Sequence, residues 1–336
     1  MIRVVSLLAL MSVLAIAALA WDASERLRAP LPIATPQVVQ FESGSSLNAL
    51  IRKLQGKSIL TPARTGLYLR LYARVRGDAT QLKAGEYALE PGTTALGLLD
   101  LLVAGDVLEY SFTIIEGWTV RELLQALRAH DAIQWTLGDT LPATRDLMPA
   151  LNLGDVHAEG QFLPETYRFA RGASEVSILT RAHHAMTRAV ERIWAQKAEA
   201  VPLESPYEAL IMASIVEKET GQPSERRQIA GVFARRLNKN MRLQTDPTVI
   251  YGIGETFDGD IRYRDLRRDT PYNTYTRGGL PPTPICLPGV AALEAAVNPA
   301  EGTALYFVSR GDGSHVFSDT LAAHNAAVRR YQLKRK

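Results

Sequence analysis

The alternation of apolar and polar positions changes character along the chain, and each change predicts a different kind of element. The stretch "VVSLLALMSVLAIAALAW", Val4 to Trp21, carries no charge in 18 residues. That length of apolar helix is enough to cross a bilayer. Residues 22–37, "DASERLRAPLPIATPQ", contain three prolines and little periodicity, which predicts an extended linker.

From Val38 to about Ile133 one small pattern recurs. A short apolar strand is followed by a glutamate, a glycine and a Ser or Thr, and then by apolar residues at helical spacing. The three copies carry Glu42, Gly44, Ser45 and Ser46; Glu90, Gly92, Thr93 and Thr94; and, more loosely, Glu116, Gly117 and Thr119. Glycine makes each turn and the hydroxyl residue caps the helix that follows. Ordinary structural caps account for the pattern as well as a glycan-binding module does.

Farther on, Ile178, Ala182, Ala185, Ala189 and Ile193 predict a long amphipathic helix within 174–200. Residues 206–220 predict a core helix stopped by Gly221 and Pro223, and Ser224 is placed to cap the next one. Residues 239–290 lose periodicity and fill with Gly, Pro, Asn, Thr, Arg and Tyr. A stretch that long is functional or disordered, and its four tyrosines argue against disorder. "ALYFVSRGDGSHVFS" predicts a β-hairpin turning at Asp312-Gly313, with Asp319 or Thr320 capping a last helix to about Tyr331.

These elements predict an α+β chain: an apolar N-terminal helix (1–21), a linker (22–37), a small α+β domain (38–135) and a mixed helical domain with a β-hairpin (136–336). Composition changes this picture little. The chain has 336 residues, 46% of them hydrophobic, and a net charge of +3 spread along its length. A nucleic-acid binder concentrates its basic charge on one face; the dense run "RRYQLKRK" at the end reads as a solvated tail. A single cysteine, Cys286, excludes an intrachain disulfide, and no Cys/His set has zinc spacing, so no metal is expected. Positive charge before Val4 favours an inside N-terminus. Ala18-Leu19-Ala20 also fits a signal-peptide cleavage site; the uninterrupted apolar length favours a retained anchor.

Candidate chemistry enters with "LIMASIVEKET", residues 210–220, a core-like run that ends in Glu217, Lys218 and Glu219. On a helix Glu217 lies over Leu210, Ala213 and Ser214. Small or apolar neighbours would desolvate its carboxyl and keep it protonated, as a general acid requires. Glu219 lies about 200° around the helix, so the two carboxylates serve different sites. The pattern alone does not choose between them, nor does it exclude an ion pair to Arg226 or Arg227.

The ordered series "ASIVEKET", "RLQTDPTVIYG", "YNTY…GLPPTPI", "AAVNPA" and "LYFVSRGDGSHVFS", with "EGQFLPETY" and "KAGEY" upstream, resembles the endolytic murein transglycosylase family, the MltG/YceG-like proteins. The resemblance runs from about residue 38 to 331. It implies a single-pass protein of the cell inner membrane, with a cytoplasmic N-terminus, a LysM-like α+β domain and a periplasmic catalytic domain. It implies Glu217, the first glutamate of E-K-E-T, as the catalytic acid, and no cofactor. The substrate implied is the peptidoglycan glycan strand, cleaved between N-acetylmuramic acid and N-acetylglucosamine to leave a 1,6-anhydro end. Partners implied are peptidoglycan synthases (penicillin-binding proteins), and no nucleic acid. Gln244, Thr245, Asp246, Tyr272, Asn273 and Tyr275 are the expected sugar-binding residues, because aromatic faces and planar hydrogen-bonding groups suit sugars. Glu159 and Glu165 are weaker second carboxylates, and His315 and His324 read as hairpin and capping residues. A lysozyme-like muramidase and a non-catalytic peptidoglycan-binding scaffold are the competing functions.

Overall fold

A computed structural model describes residues 2–42 and 44–333 of the chain; the last three residues of the basic run lie outside them. The described chain is α+β and forms two compact units, Met1–Tyr110 with Arg168–Gly172, and Ser111–Tyr167 with Ala173–Lys336.

The first unit begins with α1 (Ile2–Arg28). Its segment Val4–Arg28, 25 residues with a peak mean hydropathy of 2.5, is long and apolar enough to cross a membrane, and its apolar window is exposed. The helix does not stop at Trp21. It continues to Arg28 because "ASERLR" has good helix formers and no proline before Pro30. Leu27, Leu31 and Ile33 are buried in the core of this unit, so residues 22–33 are a packed part of the fold and not the expected unpacked linker.

The strand–turn–helix pattern is realised in each of its three copies. β1 (Gln37–Phe41) leads to Gly44 at φ 75° and α2 (Leu47–Gly56), capped by Ser46. After α3 (Ala63–Arg76), β2 (Gly85–Leu89) leads to Gly92 at φ 94° and α4 (Ala95–Ala104), capped by Thr94. β1 and β2 pair antiparallel, Val39 opposite Tyr87. The inward residues Val39, Phe41, Tyr87 and Leu89 meet Leu50, Leu54, Leu69, Leu98 and Leu102 from the helices. The third copy, β3 (Glu109–Thr113), Gly117 at φ 80° and α5 (Val120–Arg128), ends in a full capping box between Thr119 and Glu122. Its helix belongs to the second unit, so the division between units falls earlier than residue 135.

The chain continues with β4 (Ile133–Gln134), α6 (Thr144–Ala150), β5 (Thr166–Ala170, whose residues from Arg168 belong to the first unit), β6 (Ala173–Ser174) and α7 (Glu175–Trp194). β3 pairs with β5, and β4 runs parallel to β6. At the centre of the second unit is α8 (Pro206–Glu219), which starts at Ser205 as N-cap with Pro206 in the first turn. Every residue from Ala209 to Val216 is buried, as expected of a helix apolar all round. Even Ser214 is satisfied: its hydroxyl donates to Ile211 O (2.7 Å) and accepts from Ile285 N (3.0 Å).

Next come α9 (Arg226–Asn238), α10 (Asp246–Ile253), α11 (Tyr263–Arg267) and α12 (Val290–Val297). Ser224 does not cap α9; it lies in a 3-10 turn, Pro223–Glu225, that leads into it. The hairpin β7 (Tyr306–Ser309) and β8 (His315–Ser318) pairs Phe307 with Phe317, and α13 (Leu321–Tyr331) follows, capped by Thr320. Two short helices, α10 and α11, lie inside the stretch that had no periodicity. Proline at the first turn and local capping start them, with no long amphipathic face to reveal them.

Candidate active site

Helix α8 ends in two carboxylates that face different surroundings. Glu217 is enclosed, its side chain only 5% exposed. Its Oε1 accepts from Arg226 Nη2 at 3.1 Å and its Oε2 from Gly289 N at 2.9 Å. Gly289 is the N-cap of α12, so this carboxylate sits at the positive end of that helix. Glu116 Oε2 lies 3.5 Å from the same guanidinium, and its carboxyl is raised by burial and by the charge of Glu217. The expected apolar wall over Glu217 is therefore replaced by a cation and a backbone donor. Both of its oxygens are engaged in joining α8, α9 and α12.

Glu219 is half-buried on the other side of the helix end. Its Oε1 accepts from the hydroxyl of Thr245. Desolvation pushes its carboxyl up to about 7, opposed by the Thr245 hydrogen bond and reinforced by the charge of Asp246. It lines a groove of about 470 Å3 together with Gln244, Asp246, Tyr275, Tyr306 and His315.

A buried threonine network fixes this wall. Thr274 Oγ1 accepts from Thr245 N (3.1 Å) and pairs with Thr248 Oγ1 (2.9 Å), while Thr248 Oγ1 also donates to Thr245 O (2.8 Å). The network holds Gln244 in a left-handed conformation, φ 51°, exposed at the groove edge. Such a conformation costs a non-glycine residue of order 1 kcal/mol and persists only where its surroundings hold it. Tyr275 donates its hydroxyl to Asp246 Oδ1 at 2.6 Å, and burial together with that bond raises the Tyr275 phenol.

The sequence-based set thus divides. Gln244, Asp246 and Tyr275 line the groove and Thr245 stands behind Glu219. Asn273 does not line it. Its side chain is fully buried, with Nδ2 reaching the carbonyls of Asp265, Leu266 and Arg268 and Oδ1 accepting from Tyr275 N. This amide closes the end of α11. Tyr272 is also elsewhere, bonded to Thr283 at 2.8 Å and edge-on to Tyr251.

Glu159 is 1% exposed, accepts from Val120 N (2.9 Å) and Tyr251 Oη (3.0 Å), and is pushed by burial up to about 7. It links α5 to α10 and is not among the groove-lining residues. Glu165 is exposed. His315 and His324 do line the groove. Nδ1 of His315 lies 2.7 Å from Glu225 Oε2, and the His324 ring stacks on Tyr306 at 5.3 Å. The Arg236 guanidinium also lies over the Tyr306 ring, at 5.1 Å, and donates to the carbonyls of Leu243 and Leu305. Sequence reasoning missed Arg236, Tyr306 and Thr274, because nothing in their spacing announces that α9, the hairpin and the tyrosine-rich loop converge.

A model of the YceG-like family matches residues 39–330. The chain belongs to the YceG-like family. The endolytic murein transglycosylase of Bacillus subtilis (strain 168) is 29% identical over 310 residues, covering 87% of this chain and 84% of that protein. The endolytic murein transglycosylase of Streptococcus pneumoniae (strain D39) is 28% identical over 302 residues, covering 81% of this chain but 54% of the relative. The chain thus spans about half the length of the streptococcal protein. A solved yceG-like protein of Listeria monocytogenes is 30% identical with a TM-score of 0.55, and the match covers 87% of this chain and 99% of that one. The YceG-like match takes in both glutamates of α8 and the groove residues from Glu219 to Val328, and it does not choose between the two glutamates.

Proposed function

We propose that this YceG-like protein is an endolytic murein transglycosylase, and that Glu219, rather than Glu217, is its acid and base. The observation that carries the proposal is a carboxyl in the wall of a groove, its pKa raised by burial to about 7 and one oxygen fixed by Thr245. A protonated Glu219 donates to the oxygen bridging N-acetylmuramic acid and N-acetylglucosamine. The C1–O bond breaks and an oxocarbenium-like centre forms at the muramyl C1. The carboxylate left behind takes the proton of that sugar's own C6 hydroxyl, whose oxygen closes the 1,6-anhydro ring. One carboxyl serves both steps and water is not consumed, unlike hydrolases that use two carboxylates. The groove-lining Gln244, Asp246, Tyr275 and Tyr306 supply the planar and aromatic groups that would position the strand.

Cleavage within the strand would end its elongation. The remaining parts of the reading follow the same line: a LysM-like, glycan-binding first unit, α1 as a single-pass anchor in the inner membrane with the N-terminus cytoplasmic, a periplasmic catalytic unit, and peptidoglycan synthases as neighbours. The exposed apolar helix supports the anchor; the other parts extend what membership of the family implies.

The deciding experiment is mass spectrometry of purified murein strands digested with the full chain. Products ending in 1,6-anhydro-muramic acid are expected. Reducing ends would instead mean a water-using muramidase, whose second carboxylate would be Asp246, the other acid of the groove. An absence of cleavage under conditions where the protein is folded and binds glycan would leave a scaffold.

A further inference from the structure

Helix α3 carries apolar side chains on the face it turns away from its own core. Thr65, Gly66, Leu69 and Ala73 are buried. Opposite them stand Leu67, Leu71 and Val75, 43%, 52% and 88% exposed. Their spacing of four places them in one stripe. Exposed Arg70 and Arg74 flank the stripe on one side, and Tyr68 and Tyr72 on the other. A helix folded only for its own unit would put polar residues on this face.

Two further features say what covers it. The chain from residue 43 to 77 contains Arg52, Lys53, Lys57, Arg64, Arg70, Arg74 and Arg76 and no Asp or Glu. Lys53, Arg64 and Arg76 pair with Glu42, Asp22 and Asp78, which leaves exposed Arg52, Lys57, Arg70 and Arg74 as a basic set around the apolar stripe, suited to an anionic lipid interface. The stripe also lies beside the exit of α1 from its apolar run. Asp22, the first charged residue after Trp21, accepts from Tyr68 Oη at 2.9 Å and pairs with Arg64 at 3.2 Å. The first turns of α3 are thus bonded to the residue at which α1 leaves hydrocarbon. A groove of about 310 Å3 between α2 and α3, with Arg52, Arg70 and Leu67 on its lining, adds a seat of lipid-headgroup size next to the stripe.

We propose that α3 is an interfacial helix. Leu67, Leu71 and Val75 enter the headgroup–acyl boundary of the membrane that α1 spans, and Arg70 and Arg74 meet anionic lipid phosphates. The proposal rests on α1 being a membrane span. With α1 inserted and α3 lying on the surface, the first unit is held at two points and cannot rotate freely about a single helix.

The test uses the full chain in vesicles of phosphatidylglycerol and phosphatidylcholine. An environment-sensitive fluorophore is attached at Leu71→Cys or, separately, at Leu14→Cys; Cys286 is buried and does not compete for label. Lipids carrying a shallow acyl-chain nitroxide are the quencher. The expected result is a blue-shifted, quenched label at both positions, with quenching at position 71 but not at position 14 lost in Arg70→Glu/Arg74→Glu. Quenching at position 14 with position 71 left in water overturns the interfacial helix while the anchor stands. No quenching at either position removes both. A label at 71 that is protected only in native membranes, and not in pure lipid, assigns the stripe to a protein partner and overturns the lipid proposal.

Discussion

The two sides of the α8 C-terminus start from nearly the same sequence and end in opposite environments. On one side Glu217 meets a guanidinium and a helix N-terminus, and both of its oxygens are occupied. On the other, Glu219 meets one neutral hydroxyl and an open groove. The first arrangement gains energy from charge and fixes three helices. The second holds a carboxyl where ionisation is disfavoured, which is costly to the fold and useful to an acid catalyst. A helix placing residues two apart about 200° from each other lets one turn perform both tasks.

The largest expected effect separates the two directly. Glu219→Gln keeps size but has no proton to donate, and should lower the rate of anhydro-end formation by on the order of 10²–10⁴-fold with a normal folded spectrum. Near-normal turnover in this variant, with loss in Glu217→Gln, would reverse the assignment.

Next in size is the pH dependence. The Glu219 carboxyl, raised to about 7, is protonated below that pH. The rate should therefore fall about tenfold per pH unit on the alkaline side of about 7. A flat profile to pH 9 with intact protein would remove Glu219 as the donor. Stability carries the same sign. The folded pKa lies above the ordinary 4.5, so nothing is lost below about pH 4.5. Between there and about 7 ionisation increasingly favours the unfolded chain. Glu219→Gln should thus be more stable than the parent at pH 8 and equal to it at pH 4. Glu159, raised to the same value, contributes equally in both proteins and cancels.

Smaller effects test the closed side. Glu217→Gln should lose up to about 1.5–3 kcal/mol of stability, the worth of a hydrogen bond to a charged group, with activity within an order of magnitude of the parent. Thermal or urea unfolding measures the first and strand digestion the second. Asn273→Ala should behave in the same way, because it strips three carbonyls and the Tyr275 amide of their partner. A stable Asn273→Ala protein with lost activity would return Asn273 to the groove.

Much of this architecture was legible because it is local. The apolar run of α1, the three glycine turns with Ser or Thr caps, the central α8 and the β7–β8 hairpin all announce themselves within a few residues of chain. What escaped was long-range. Whether residues 22–33 are a linker or a packed segment depends on Leu27 and Leu31 finding Leu98 and its neighbours in the core. Whether Glu217 is apolar-walled depends on Arg226 and Gly289, 9 and 72 residues away. Of the polar loop residues, Asn273 and Gln244 look alike in sequence, yet one closes a helix and the other faces solvent. Burial decides that difference, and in residues 239–290 no periodicity encodes it.

The smallest effect probes how finely the open side is built. Tyr275 Oη donates to Asp246 Oδ1 at 2.6 Å, and Asp246 begins α10 directly after Thr245, the residue that holds Glu219. Removing that hydroxyl in Tyr275→Phe leaves the aromatic face in the groove and releases the carboxylate of Asp246. If the aromatic face carries the sugar contact, KM for glycan strands should change by no more than about fivefold, the worth of roughly 1 kcal/mol in a hydrogen bond. Tyr275→Ala removes the face as well and should raise KM further. The same loss in both variants would mean that the Tyr275–Asp246 bond, and not the ring, is what the groove requires. In that case the rigidity of the Thr245–Asp246 corner, carried through to the Thr245 hydroxyl on Glu219, is the property that separates the catalytic side of α8 from the structural one.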